Sequence, residues 1–134
     1  MKFKLLLLLL LAPVISFASN SPNPNVFLGT YKCTGTDPYL NKKYSGTVVV
    51  HQQHTVYRLE MNYDTGEHYL GTGGQYDPTL MSVVFQDTQN PKRIGLEQYT
   101  FIDKEKTRMQ GYWVYLGDDK LGVEVCKKVP DKSN

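Results

Sequence analysis

The chain has 134 residues, of which 15 are basic and 13 are acidic, so its formal net charge is +2 at pH 7. A charge this small excludes the strong positive field with which proteins attract nucleic acid or anionic membranes. The length suits one domain and is too short for two.

Residues 1–18 have the three parts of a signal peptide. Lys2 and Lys4 give a basic start, the leucine run 5–11 is apolar, and residues 16–18 (Ser-Phe-Ala) match a small-x-small cleavage site. The apolar stretch, about 13 residues, is shorter than the roughly 20 that a membrane-spanning helix needs. We therefore predict a periplasmic or secreted protein whose mature chain has no membrane span. Its formal charge is zero, because 13 basic residues then stand against 13 acidic ones.

The mature chain is predicted to be one domain between two flexible ends. Residues 19–26 are polar and proline-rich and are typical of a flexible leader. The domain spans residues 27–129, and residues 130–134 form a short tail.

Two cysteines lie near the two ends of this domain, Cys33 and Cys126. An exported chain meets an oxidising compartment, which favours a disulfide between them. The alternative is a pair of free thiols that serves redox chemistry or binds a metal, although the sequence lacks the CxxC spacing typical of such pairs.

No long stretch of the domain has the 3.6-residue apolar period of a helix, whereas turn residues recur every eight to twelve positions. Asp64-Thr65-Gly66 and Gly117-Asp118-Asp119 are typical of tight hairpin turns. The pattern predicts eight strands, at residues 27–36, 44–51, 54–62, 67–75, 79–86, 94–102, 107–116 and 120–128.

Six of the predicted strands carry an internal glycine: Gly29, Gly46, Gly71, Gly95, Gly111 and Gly122. Glycine weakens a flat strand and is used where a strand bends or where backbones crowd. We therefore predict an all-β fold, a single eight-stranded antiparallel up-and-down β-barrel. The disulfide would join its first and last strands. The alternative fold is a two-sheet sandwich.

The glycine motifs also resemble those of a known group of proteins. They are Gly29-Thr-Tyr31, Tyr44-x-Gly46-Thr, Tyr57-x-Leu59, Gly71-Thr-Gly73, Ile94-Gly95-Leu96, Gly111-Tyr-Trp113 and Gly122-Val-Glu124. This series is similar to small secreted, largely uncharacterised bacterial proteins, some of which carry a loose fibronectin-binding label. Gly29-Thr-Tyr31 also resembles the Gly-x-Trp motif of lipocalins. The resemblance implies an avidin-like or lipocalin-like barrel and does not specify a function.

Aromatic side chains on different strands are the strongest candidates for a ligand site. A small barrel can hold a ligand at its open end, lined by aromatic rings and a few polar groups. The alternative is that the rings fill a solid core. The predicted binding residues are Tyr31, Tyr57, Tyr69, Trp113 and Glu124.

Two histidines are candidate metal ligands. A two-residue turn at Gln52-Gln53 would place His51 opposite His54, but a third ligand near His68 would lie over 20 Å away along the hairpin. We interpret both histidines as exposed turn residues and predict no metal and no cofactor.

We favour a non-enzymatic binding protein that takes a small apolar or aromatic ligand at the barrel mouth. A second hypothesis is a surface-interaction module, adhesin-like or inhibitor-like, that binds a protein partner through the loops Asp37 to Lys43 and Gln86 to Arg93. The least favoured is a hydrolase with a carboxylate pair drawn from Glu60, Glu97 and Glu124.

Overall fold

The computed structural model describes residues 26–132. The predicted signal peptide, the leader up to residue 25 and the last two residues of the tail lie outside this range. Eight strands follow one another along the chain: β1 Gly29–Asp37, β2 Lys42–Gln53, β3 Val56–Tyr63, β4 His68–Asp77, β5 Leu80–Asp87, β6 Ile94–Phe101, β7 Arg108–Tyr115 and β8 Gly122–Lys128. All eight predicted strands are confirmed, with ends that differ by up to two residues.

The sheet closes on itself, because each strand pairs antiparallel with the next and β1 also pairs with β8. The predicted up-and-down barrel is therefore confirmed, and the sandwich alternative is wrong. Closure leaves none of these eight strands with an unpaired edge. Among residues 26–132, no helix has the length and hydropathy that a membrane span requires.

The disulfide lies at the seam of the barrel. Cys33 of β1 is directly opposite Cys126 of β8, with the two Cα atoms 3.9 Å apart and the sulfurs bonded. The predicted pairing is confirmed and the free-thiol alternative is wrong. The bridge joins positions 93 residues apart in the sequence.

The hairpin of β2 and β3 turns two residues later than predicted. Gln53 pairs with Val56, so the turn consists of His54 and Thr55, with His54 at a positive φ of 55°. His51 consequently lies opposite Arg58 and not opposite His54, so the predicted side-by-side imidazoles do not form. A turn shifted by two residues preserves the alternation of side chains, and Val48, Val50 and Leu59 face the interior.

Glycines on the inner face recur directly opposite an aromatic residue of a neighbouring strand, and four of these pairs are the most crowded. The pairs are Gly35 with Tyr44, Gly46 with Tyr63, Gly95 with Phe85, and Gly122 with Trp113. A Cβ atom at any of these glycines would come within 2.0–2.5 Å of the opposing ring. The glycines therefore make room for large rings inside a narrow barrel.

One end of the barrel is sealed by the segment that precedes β1. Phe27 is completely buried, stacks on Phe101 with ring centroids 4.6 Å apart, and meets Tyr57 edge-on at 6.1 Å. The Tyr31 hydroxyl donates to the Phe27 carbonyl at 3.0 Å. This closed end leaves the opposite one, bordered by loops 38–41, 64–67, 88–93 and 116–121, as the mouth.

Candidate functional site

Two glutamates meet inside the barrel near the mouth. Glu97 of β6 and Glu124 of β8 are each only 1% exposed, and they lie on either side of β7. Between them lies Gly111, where a Cβ atom would be 2.4 Å from Oε1 of Glu97. The missing side chain at this position lets the two carboxyls come into hydrogen-bonding contact.

The Glu124 carboxylate is held by three tyrosines from three other strands. Tyr44 and Tyr63 donate to Oε2, each at 3.2 Å, and Tyr99 donates to Oε1 at 3.0 Å. The indole Nε1 of Trp113 donates to the Tyr44 hydroxyl oxygen at 2.9 Å. Glu124 is thus fixed in position by a polar network within an otherwise apolar core.

Glu97 is less well satisfied than its partner. Its side chain contacts Tyr99 and Glu124, yet within residues 26–132 its Oε1 atom has no hydrogen-bond partner. Burial, and then the negative charge of Glu124, raise the pKa of Glu97 well above its usual range. Burial also raises the pKa of Glu124, and the hydrogen bonds from its tyrosines oppose that shift. The pair therefore resembles two carboxyls that share a proton.

A small cavity opens from this pair toward the mouth. Its volume is about 40 Å³, compared with the roughly 300–1,000 Å³ of pockets that hold drug-sized molecules. The residues that line it include Tyr44, Tyr63, Tyr69, Glu97, Trp113 and Tyr115. The interior is thus mostly filled by rings, and the remaining space suits a few water molecules or the head group of a ligand.

The mouth is bordered by side chains from all four of its loops. The Arg93 guanidinium lies 4.2 Å from the centroid of the Tyr115 ring and forms ion pairs with Glu67 at 2.7 Å and Asp87 at 3.9 Å. From the opposite side Tyr39 donates a hydrogen bond to Asp118. These contacts join side chains of different loops around the entrance to the cavity.

The five predicted binding residues divide between the two ends of the barrel. Tyr69 and Trp113 line the cavity, and Glu124 lies beneath it in contact with Glu97. Tyr31 and Tyr57 pack around Phe27 at the closed end, away from the cavity. Trp113 and Glu124 both face the barrel interior, while the role of the five residues in binding stays a prediction.

Several residues that shape the cavity are absent from the predicted binding set, among them Tyr44, Tyr63 and Arg93. Glu97 enters the sequence-based predictions only as half of a catalytic pair. The sequence signal for Glu97 is that it shares a face of β6 with Gly95 and Tyr99, so alternation places it inside once Tyr99 is assigned to the core. Arg93 lies outside any strand and gives no comparable signal.

The carboxylate-pair hypothesis fails for one of its three candidates. Glu60 is exposed on the outer face of β3 and cannot meet the other two. Glu97 and Glu124 do meet, but in direct contact, whereas glycoside hydrolases hold their carboxyl groups about 5–9.5 Å apart to leave room for substrate or water.

Another group of potential metal ligands involves the disulfide. Among the described residues, ligand atoms of Cys33, Glu124 and Cys126 lie within 4.8 Å of one another. The two sulfurs are bonded to each other, so neither cysteine can bind a metal as a thiolate. Glu124 is then the one metal ligand that this group offers.

Comparison with protein-family models and with curated proteins finds no match. Among solved structures, the chain is similar to a redesigned β-barrel at 13% identity, covering 84% of this chain and 100% of that one with a TM-score of 0.69. It is also similar to mFAP1, a redesigned β-barrel bound to DFHBI, at 12% identity, covering 81% and 100% with a TM-score of 0.64. A de novo designed fluorescence-activating β-barrel is 15% identical and covers 79% and 96% with a TM-score of 0.55. At these identities the likeness shows the β-barrel fold alone.

Proposed function

We propose that this protein is an exported, non-enzymatic binding protein that holds a small aromatic or apolar molecule at the barrel mouth. One observation carries the proposal: the mouth leads to a cavity lined by aromatic rings that ends at the buried side chain of Glu97. Such a combination of apolar walls and a few placed polar groups is typical of small-molecule sites. The similar barrel mFAP1, bound to DFHBI, supports the idea that a barrel of this shape can hold an aromatic molecule.

Ligand binding at this site can be followed by intrinsic tryptophan fluorescence. Trp113 is the only tryptophan, and its indole lines the cavity. We expect the fluorescence of Trp113 to change saturably when phenol, benzyl alcohol or benzylamine is added to the purified protein. If none of the three gives saturable binding by fluorescence or calorimetry, the proposed function is wrong.

A pair of substitutions at opposite ends of the barrel locates the site. Thr65 lies in a mouth loop and lines the cavity, so Thr65→Phe should cover the entrance and weaken binding by about tenfold or more. Thr55 lies in the exposed turn at the closed end, so Thr55→Phe should leave binding unchanged. If Thr65→Phe and Thr55→Phe weaken binding equally, the ligand does not bind at the mouth.

A second candidate, the surface-interaction module, is favoured by the outer face of three neighbouring strands. Leu70, Val84 and Leu96 are each more than half exposed, and Val84 is directly opposite Leu96 in the sheet. Leu70 is diagonal to Val84 across the β4–β5 pair. Substituting all three with serine should weaken binding to a protein partner in a pull-down and leave small-molecule binding intact.

A further inference from the structure

The floor of the cavity lacks a positive charge. Glu97 and Glu124 place two carboxyls in direct contact, and no Lys or Arg side chain in residues 26–132 is buried. Buried carboxylates are normally paired with a cation or saturated with hydrogen bonds. Glu124 has its tyrosines, whereas Oε1 of Glu97 is fully enclosed and has no partner in the described part of the chain, and the Glu97 side chain lines the cavity.

The walls above this floor are suited to positive charge. The face of an aromatic ring carries negative partial charge and attracts ammonium and guanidinium groups. The chain already uses rings near the mouth in this way, because Arg93 lies over Tyr115 and the Lys120 ammonium is 5.1 Å from the centroid of Tyr39. The deeper rings of Tyr63, Tyr69 and Trp113 have no such cation among the described residues.

The size of the cavity limits what can reach the floor. About 40 Å³ is the space of a few water molecules, since roughly 10–15 Å³ of such volume is enough to hold one. A primary ammonium group fits that space, whereas a whole aromatic ring is larger. The head group of a ligand would therefore enter the cavity, and its apolar body would lie in the mouth, where Tyr39 and Arg93 now make their contacts.

We infer that the ligand is a small organic cation, a primary ammonium attached to an apolar or aromatic body, whose nitrogen donates to the Glu97 carboxyl group at the floor of the cavity. This inference rests on the proposed function and specifies its ligand class. The bound ammonium gives the buried Glu97 carboxyl group a charged hydrogen-bond donor. It also neutralises the charge of the Glu97–Glu124 pair, and the rings of Tyr69 and Trp113 surround its methylene groups.

The test compares three molecules with the same ring but different head groups. Benzylamine, benzyl alcohol and benzoate are titrated into the full mature protein and followed by Trp113 fluorescence and calorimetry. Benzylamine should bind about tenfold or more tightly than benzyl alcohol, because hydrogen bonds to charged groups are roughly twice as strong as neutral ones. Benzoate should not bind, since its charge repels the glutamates.

A matched pair of substitutions assigns the preference to the cavity floor. Glu97→Gln should remove the advantage of benzylamine over benzyl alcohol, whereas Glu60→Gln, the same change on the outer face of β3, should preserve it. Should Glu97→Gln fail to fold, as judged by circular dichroism, a competition experiment on the wild type replaces it. Ethylammonium chloride should displace benzylamine, and sodium chloride at equal ionic strength should not.

The outcomes separate the inference from the proposed function. If benzyl alcohol binds as tightly as benzylamine, or if Glu97→Gln keeps the preference, the ligand class is wrong while a small-molecule site at the mouth stands. If benzylamine, benzyl alcohol and phenol all fail to bind, the proposed function itself is wrong.

Discussion

The contact between Glu97 and Glu124 depends on a residue that has no side chain. Gly111 lies between them on β7, opposite Tyr99 on one side and Glu124 on the other. A methyl group there would be 2.4 Å from Oε1 of Glu97 and 2.8 Å from the Tyr99 ring. Both neighbours are completely enclosed, so neither can move aside freely.

We therefore expect Gly111→Ala to reduce the free energy of unfolding by about 1–3 kcal/mol, as overpacking of a buried site usually does. Urea denaturation measures the loss. Gly74→Ala is the matched control, because a Cβ atom at Gly74 meets no described atom within 4 Å and the residue is exposed on β4. Equal stabilities for the two variants would contradict the crowding at Gly111.

At the level of elements, the seam between β1 and β8 holds the barrel closed. The two strands pair from Tyr31 opposite Lys128 to Thr36 opposite Val123, and the disulfide joins the middle of this ladder. The loop it closes spans almost the whole barrel. In the chain-entropy model, a covalent link over such a loop contributes about 4–5 kcal/mol by restricting the unfolded chain.

A variant with both Cys33→Ala and Cys126→Ala tests this contribution. We expect a closed barrel with the same circular dichroism spectrum but a free energy of unfolding lower by several kcal/mol, measured by urea denaturation of both proteins. In this variant the small cavities left by the sulfurs also lower the free energy of unfolding. Reduced wild-type protein is the control, because it lacks the covalent link but keeps both sulfur atoms. An unchanged urea midpoint in both would show that backbone pairing alone holds the seam.

The strand elements could be predicted from local pattern, but the register between them could not. Turn residues such as Gly66 and Gly117, both at positive φ, mark two of the hairpins correctly. The predicted β2–β3 turn lies two residues too early, because His54 adopts positive φ without being a residue that signals it. Alternation alone cannot detect an error of two residues, as both registers bury the same face.

The candidate site is harder to predict for the same reason. Which inward residues share a level of the barrel depends on the stagger of all eight strands, and this is what separates Tyr31 and Tyr57 from Tyr69 and Trp113. The meeting of Glu97 and Glu124 depends further on Gly111, on a third strand. A sequence shows that each of these residues faces inward, and only the closed sheet shows which of them touch.

For the molecule as a whole, the buried acids make stability depend on pH in an unusual direction. In the unfolded chain the carboxyl groups of Glu97 and Glu124 titrate near pH 4.3. Burial raises the pKa of each in the folded barrel, and hydrogen bonds from Tyr44, Tyr63 and Tyr99 to Glu124 limit the shift there. Above about pH 4.3, and up to the raised values, the folded protein binds more protons than the unfolded chain.

The free energy of unfolding should therefore fall as the pH rises from about 5 to 8. Other acids do not mask this trend. Hydrogen bonds lower the pKa values of Asp64, Asp77 and Asp103, and so their contribution is fully present above pH 5 and is lost only in stronger acid.

Glu97→Gln tests the origin of this pH dependence. The substitution removes one of the two interacting acids and leaves an amide that can donate to Glu124. We expect a flatter profile between pH 5 and 8 and a gain of about 1 kcal/mol or more at pH 8, since one pKa unit corresponds to 1.36 kcal/mol. Urea denaturation at several pH values provides the measurement, and Glu60→Gln should follow the wild-type profile because Glu60 lies on the outer face. Parallel profiles for Glu97→Gln and the wild type would mean that the pair is not the group that titrates.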